Sequence, residues 1–115
     1  MEVLTHAEGF KLSNEQQDAI SEKIGRLDHY EPRAMRARVH MRLTTAHPSP
    51  TQFQAKVEIE VPGHNLHAEE KASQPIEAID LVFDKLEQQL ERRKTERMNK
   101  RHEAAQFKEA QRAQT

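Results

Sequence analysis

The sequence predicts an α+β domain with the element order β-α-β-β-β-α, a four-stranded mixed sheet and both helices on one sheet face. Three observations predict this class. Two segments, 35–43 and 53–61, alternate apolar and polar residues as half-buried strands do. A third segment, 75–94, repeats its apolar residues at spacings of three and four, which places them on one helical face. An earlier helical segment separates the first two strands, which should therefore run parallel, through a right-handed crossover, if they are neighbours.

Local signals mark the first strand and the first helix. Residues 1–6 alternate in polarity, a weak indication of a short strand that Gly9 ends. Ser13 is a good N-cap and Gln16 stands at the third position of a capping box, so a helix should begin here. Pro32 ends it, because proline disfavours a helical conformation in the residue before it. The inward side chains of this helix are Ala19, Ile20, Ile24 and Leu27.

Three further strands should form an antiparallel meander, because short loops connect them. Residues 44–51 contain two prolines and form the first loop, residues 62–65 form a turn, and a short last strand covers residues 66–69. One side of the strand 35–43 carries Met35, Ala37, Val39, Met41 and Leu43, and the other side carries Arg36, Arg38, His40 and Arg42. Because the apolar faces of strands and helices must meet, both helices should cover one sheet face and leave the other polar and free.

The last helix should begin after Ser73, a capping residue, with Pro75 in its first turn. Its inward side chains are Ile76, Ile79, Val82, Phe83, Leu86 and Leu90. Beyond Lys94 there is neither Gly nor Pro, so no residue marks the end of the helix. We expect a domain over residues 1–95, followed by a basic tail over residues 96–115 that is disordered or a frayed helix.

The composition excludes several classes of protein. The chain has no Cys, which removes disulfide frameworks, thiol nucleophiles and Cys-based zinc sites. Aromatic residues make up 4% of the chain, too few for a pocket lined by stacking rings. No apolar run reaches the roughly 18 residues that a membrane helix needs, and the first residues show no signal-peptide pattern. We therefore expect a soluble, cytoplasmic protein that does not contact a membrane.

No group of residues indicates catalysis or metal binding. His64 and His67 are three residues apart, but in a turn and a strand this spacing does not put both on one face. No carboxylate or Cys cluster completes a ligand set around them. The sequence shows no nucleophile, apolar cleft or Gly-rich phosphate loop. We expect no enzymatic activity, no metal, no cofactor and no small-molecule substrate.

The charge is distributed unevenly along the chain. Residues 1–91 carry 10 Lys/Arg against 16 Asp/Glu, a net charge of −6, whereas residues 92–115 carry 8 against 3, a net charge of +5. A basic tail on an acidic body indicates a polyanionic partner, although a tail that only adds solubility is equally consistent with it. Cations also end both helices, where the helix dipole favours some of them. The candidate polyanion-binding residues of the helices are Lys23, Arg26, Lys85, Arg92, Arg93 and Lys94.

The row of cations on the strand 35–43 has two interpretations. Side chains spaced about 7 Å apart could follow a phosphate backbone. Alternatively, a hairpin that turns within residues 44–52 places cross-strand partners opposite the arginines: Glu60 opposite Arg36, Glu58 opposite Arg38 and Gln54 opposite Arg42. Arg42 would then face no carboxylate, so it joins the candidate binding residues.

Several motifs resemble those of a known family. They are Leu12-Ser13 at the start of the first helix, Lys23-Ile24-Gly25-Arg26-Leu27-Asp28-His29-Tyr30, Gly63-x-x-Leu66-His67-Ala68, Ala78-Ile79-Asp80, and Asp84-Lys85-Leu86-Glu87-x-Gln89-Leu90. Over residues 1–95 the chain resembles the short ribosome hibernation promoting factors and ribosome-associated translation inhibitor A, formerly called sigma-54 modulation proteins.

The resemblance implies a fold similar to double-stranded-RNA-binding domains with an added first strand. It implies binding to the small ribosomal subunit, in the channel used by mRNA and tRNA, which blocks translation in stationary phase or stress. The family's rRNA-facing cations match Lys23, Arg26, Lys85 and Arg92. The absence of base-stacking aromatic residues agrees with recognition of folded RNA by its shape and phosphates.

The chain departs from the family at two places. Gln74, Pro75 and Ile76 stand where the family has Asp-x-Tyr, and Gln88 stands where it has Arg, so contacts made by that Tyr or Arg are in doubt. The partners that the resemblance implies are the small ribosomal subunit and its rRNA, and the protein is expected to be a monomer away from the ribosome. The alternative is a protein–protein adaptor that uses the free sheet face without contacting RNA.

Overall fold

The computed structural model describes residues 1–92, except for the side chain of His64, and confirms the predicted order of strands and helices. The elements are β1 (Glu2–Glu8), α1 (Asn14–Tyr30), β2 (Arg36–Leu43), β3 (Phe53–Val61), β4 (His64–Ala72) and α2, which is helical over residues 75–92. The predicted domain limit at residue 95 and the predicted tail over residues 96–115 lie outside the described residues.

The sheet has the strand order β1-β2-β3-β4. β1 pairs in parallel with β2, and the other neighbours pair antiparallel, as the predicted crossover and meander require. The β2–β3 register places Glu60 opposite Arg36, Glu58 opposite Arg38 and Gln54 opposite Arg42. The register predicted from the alternating residues is therefore confirmed.

The core lies between the two helices and one face of the sheet. The strands contribute alternate, mostly small side chains to it: Ala37, Val39, Met41, Ala55, Val57, Ile59, Val61, Leu66, Ala68 and Ala72. The helices contribute the residues that their periodicity predicts: Ile20, Ile24 and Leu27 from α1, and Ile79, Val82, Phe83, Leu86 and Leu90 from α2. Because both helices bury their apolar faces here, the opposite face of the sheet stays polar.

The first helix begins with the predicted capping box. The backbone N–H of Gln16 donates to Ser13 Oγ at 3.1 Å, and the backbone N–H of Ser13 donates to Gln16 Oε1 at 2.9 Å. These reciprocal bonds satisfy N–H groups that have no partner inside the helix. They fix the start of α1 and therefore the position of its cations about three turns later.

Three predicted details differ in the structure. Met35 was expected to point inward, but it precedes β2 at the end of the covered face, and 57% of it is exposed. Ile76 is only half-buried in the first turn of α2. The last strand is longer than the predicted residues 66–69, because β4 pairs with β3 along its whole length, from Val61–His64 to Phe53–Ala72.

Candidate nucleic-acid interface

The two helices run side by side in the same direction. Three contacts between them rise in the same order along both: Lys23 Nζ to Asp80 Oδ1 at 3.5 Å, Arg26 Nη2 to Glu87 Oε2 at 3.1 Å, and Tyr30 Oη to Glu91 Oε1 at 3.4 Å. The C-terminal halves of α1 and α2 therefore lie next to each other. The predicted cations of the first helix meet the second helix, and they meet its carboxylates rather than its cations.

Lys85 lies on the other flank of α2. Its Nζ is 3.3 Å from Glu70 Oε1 on β4, and Gln89 Nε2 nearby donates to the carbonyl oxygen of His67 at 3.0 Å. Arg92 follows Lys85 by seven residues, about two helical turns, so both project from the same side of α2. Arg92 is exposed. The predicted helix cations thus form two groups on either side of α2, which we call the inner pair (Lys23, Arg26) and the outer pair (Lys85, Arg92).

Three of these four cations contact a carboxylate. The Lys85 and Glu70 side chains are 50% and 34% exposed, and ion pairs this accessible to water contribute about 0–1 kcal/mol. Such a pair can exchange its carboxylate for a phosphate at little cost. The sequence prediction missed these partners, although Asp80 and Glu87 are seven residues apart and border the apolar stripe of α2, which was a usable signal.

The Arg26–Glu87 pair differs from the Lys85–Glu70 pair. The Glu87 side chain is 12% exposed, whereas that of Arg26 is 52% exposed. Among the described residues, Glu87 Oε1 has no hydrogen-bond partner. The buried carboxylate therefore holds one side of the guanidinium, and the rest of it faces solvent. This arrangement orients Arg26 outward from the groove between the helices.

Arg33 is a further cation that the sequence analysis did not single out. It follows α1, and its Nε donates to Glu31 Oε1 at 3.0 Å. This hydrogen bond, together with the attraction between the two charges, raises the pKa of Arg33, so it stays cationic at physiological pH.

The polar sheet face supports the ion-pair interpretation of the arginine row. Arg38 Nη1 lies 3.2 Å from Glu58 Oε1, and Arg36 Nη1 lies 3.7 Å from Glu60 Oε1. Within residues 1–92, Arg42 lies opposite Gln54 on β3 and Glu8 on β1, and the nearby Glu8 carboxylate contacts His40 instead. Arg42 projects from the sheet face opposite the helices, so the structure does not bring it together with the inner or the outer pair.

Arg93 and Lys94 lie outside the described residues. In the part of the chain that the structure describes, no three His, Asp or Glu side chains are grouped to hold a metal ion. No helix within residues 1–92 is long and apolar enough to cross a lipid bilayer.

Comparison with known proteins finds relatives over most of this chain. A Deinococcus radiodurans ribosome hibernation promotion factor is 31% identical over 93 residues, 81% of this chain and 49% of the relative. One from Staphylococcus aureus is 33% identical over 98 residues, 84% of this chain and 49% of the relative. The chain thus spans about half the length of the curated relatives it matches.

Two solved structures share the fold. The N-terminal domain of Thermus thermophilus Protein Y superposes with a TM-score of 0.67 at 25% identity, covering 80% of this chain and 98% of that domain. A ribosomal subunit interface protein from Coxiella burnetii superposes with a TM-score of 0.71 at 17% identity, covering 83% of this chain and 99% of that one.

The family suggested by the sequence motifs is confirmed by a match to a family model over residues 3–98. This match covers α1, α2 and every strand between them. The chain belongs to the sigma 54 modulation protein / S30EA ribosomal protein family.

Proposed function

We propose that this protein is a non-enzymatic, ribosome-binding translation inhibitor of the cytoplasm that silences ribosomes in stress or stationary phase. It occupies the mRNA/tRNA channel of the small subunit, and its helices contact rRNA phosphates. Family membership and relatives named ribosome hibernation promotion factor support this proposal. The observation that carries it is the parallel packing of α1 and α2, which puts the inner and outer pairs on one two-helix layer.

Partner exchange explains how a layer with so many carboxylates binds RNA. Lys85 and its partner Glu70 are both accessible to water, and an exposed ion pair of this kind is weak. A phosphate that approaches Lys85 gains a charge-assisted contact and releases condensed counterions into bulk solvent. Arg92 needs no such exchange within the described residues, since no carboxylate there contacts it. It also begins the segment 92–115, whose net charge is +5.

A charge-reversal experiment tests this function. Lys85→Glu together with Arg92→Glu should abolish co-sedimentation with purified small ribosomal subunits, because both phosphate contacts become repulsive. Circular dichroism should stay unchanged, since both side chains are exposed. Retention of binding by this variant would show that α2 is the wrong surface.

The matched control makes the same charge change on the opposite face of the sheet. Lys56→Glu with Lys71→Glu replaces two exposed lysines on the polar face and should leave sedimentation with the subunits intact. The alternative function, a protein–protein adaptor on the polar face, gives the reverse result. In that case the control variant loses its partner, and pull-downs recover the same protein before and after ribonuclease treatment.

A further inference from the structure

Gly25 lies in the middle of α1, where the chain itself has no need for a glycine. The residue is exposed, and a Cβ built on it would meet no atom within 4 Å. Glycine is the least favourable residue in a helix interior apart from proline, because it gives up the most backbone freedom. Within the described residues, neither backbone conformation nor packing accounts for it.

The missing side chain leaves a shallow concavity on the solvent-exposed surface of α1. It is lined by Glu22, Gly25, Arg26, His29 and Tyr30. Arg26 stands on the side that faces α2, held there by Glu87 at 3.1 Å, and more than half of its side chain is exposed. The helix backbone is accessible at the centre of the concavity, between one cation, one imidazole and one carboxylate.

We propose that a ribose–phosphate strand of rRNA crosses α1 at Gly25, in close contact with the helix backbone. This inference rests on the proposed function and adds a position to it. The phosphate faces Arg26 and His29, which donate hydrogen bonds to it. The carboxylate of Glu22 repels a phosphate but accepts a hydrogen bond from a ribose 2′-hydroxyl, a group that RNA has and DNA lacks. A side chain at position 25 would hold the strand away from Arg26.

Replacing Gly25 should raise the stability of the protein and lower its affinity for RNA. A glycine without a role in binding would show only the rise in stability. Gly25→Gln adds a neutral residue with good helix propensity, so the melting temperature should rise by a few degrees. The same substitution should weaken binding to small ribosomal subunits at least about 10-fold, because it removes the close approach of the strand. Ser21→Gln is the control, since it adds the same side chain at an exposed position one turn earlier, outside the concavity.

The experiment measures melting temperature by circular dichroism and affinity for purified small subunits at fixed salt. The inference is supported if Gly25→Gln is more stable but binds more weakly, and Ser21→Gln binds as the unchanged protein does. If Gly25→Gln binds small subunits as tightly as the unchanged protein does, the inference is wrong. Loss of binding in the Lys85→Glu, Arg92→Glu variant would still support the proposed function. If neither variant loses affinity, the proposed function fails as well.

A crosslink identifies what approaches position 25. A photoreactive residue in place of His29 should attach to rRNA in small subunits. Attachment only to a ribosomal protein would contradict the proposal that RNA lies there, and would indicate a protein contact at the same concavity.

Discussion

At the scale of single residues, the buried carboxylate of Glu87 links the candidate interface to the stability of the fold. It is the partner of Arg26, and its second oxygen has no hydrogen bond among the described residues. A buried carboxylate that loses its cation keeps its desolvation penalty without a compensating partner, which costs more than the pair contributed. Arg26 therefore stabilises the fold in addition to its proposed role on RNA.

Arg26→Met should lower the free energy of unfolding by about 1–2 kcal/mol, because it leaves Glu87 unpaired. Lys85→Met should change it by less than about 0.5 kcal/mol, since Lys85 and Glu70 are both accessible to water. Urea unfolding measures both. The double variant Arg26→Met, Glu87→Leu should recover most of the loss, and a loss that persists there would mean that Arg26 stabilises by packing alone.

Residue pairs differ in how far the sequence predicts them. The Arg36–Glu60 and Arg38–Glu58 pairs were predictable, because alternation and a short hairpin loop leave one register that buries the apolar side. For Arg26 the sequence indicates only that its partner borders the apolar stripe of α2, because Arg26 and Glu87 are 61 residues apart and lie on different helices. Such a pair depends on how the helices rotate against each other. The same limit hid the concavity at Gly25, which exists only once neighbouring side chains take their positions.

At the scale of elements, the start of α1 is defined by its capping box rather than by its packing. The hydrogen bonds between Ser13 and Gln16 are exposed, and both residues lie before the first buried residue of the helix, Ile20. Ser13→Ala should lower the free energy of unfolding by about 1 kcal/mol. Ser21→Ala, in the exposed middle of the same helix, should be neutral or slightly stabilising. Thermal unfolding checks both, and equal effects would mean that the cap contributes nothing specific.

Strand β4 shows why the end of one element escaped prediction. The predicted strand ends at residue 69, and the residues at this end, Glu69-Glu70-Lys71, are all charged. In the structure, Glu70 points to the helix-covered face, where Lys85 of α2 neutralises it at 3.3 Å. Glu70 can therefore occupy a position where the alternation calls for an apolar residue, because Lys85 on the opposing helix pairs with its carboxylate.

At the scale of the whole molecule, the parallel direction of the helices follows from the number of strands. α1 runs back from β1, and α2 runs back from β4, which points the same way as β1 because two antiparallel steps separate it from β2. The topology predicted from the sequence therefore already implies that the two C-terminal halves are neighbours. The flanks on which the cations project had to come from the structure.

Binding by phosphate contacts has a whole-molecule signature in its salt dependence. If about five phosphates are neutralised, the logarithm of affinity should fall with the logarithm of salt concentration at a slope of about −3.5 to −4.5. Lys85→Gln with Arg92→Gln should reduce the magnitude of that slope by about 1.4 to 1.8, because two contacts are lost. Sedimentation with small subunits over a salt series measures it. An affinity that does not depend on salt would contradict the electrostatic mechanism.

The loop between β2 and β3 offers a practical consequence. It begins beyond the Leu43–Phe53 pair, at the end of the sheet opposite Met35 and the last turn of α1. His47 is exposed in this loop, and the natural chain contains no Cys. A His47→Cys variant therefore accepts one fluorophore at one site, remote from Arg26 and Gly25. Its anisotropy reports association with the subunit while leaving both helices unlabelled.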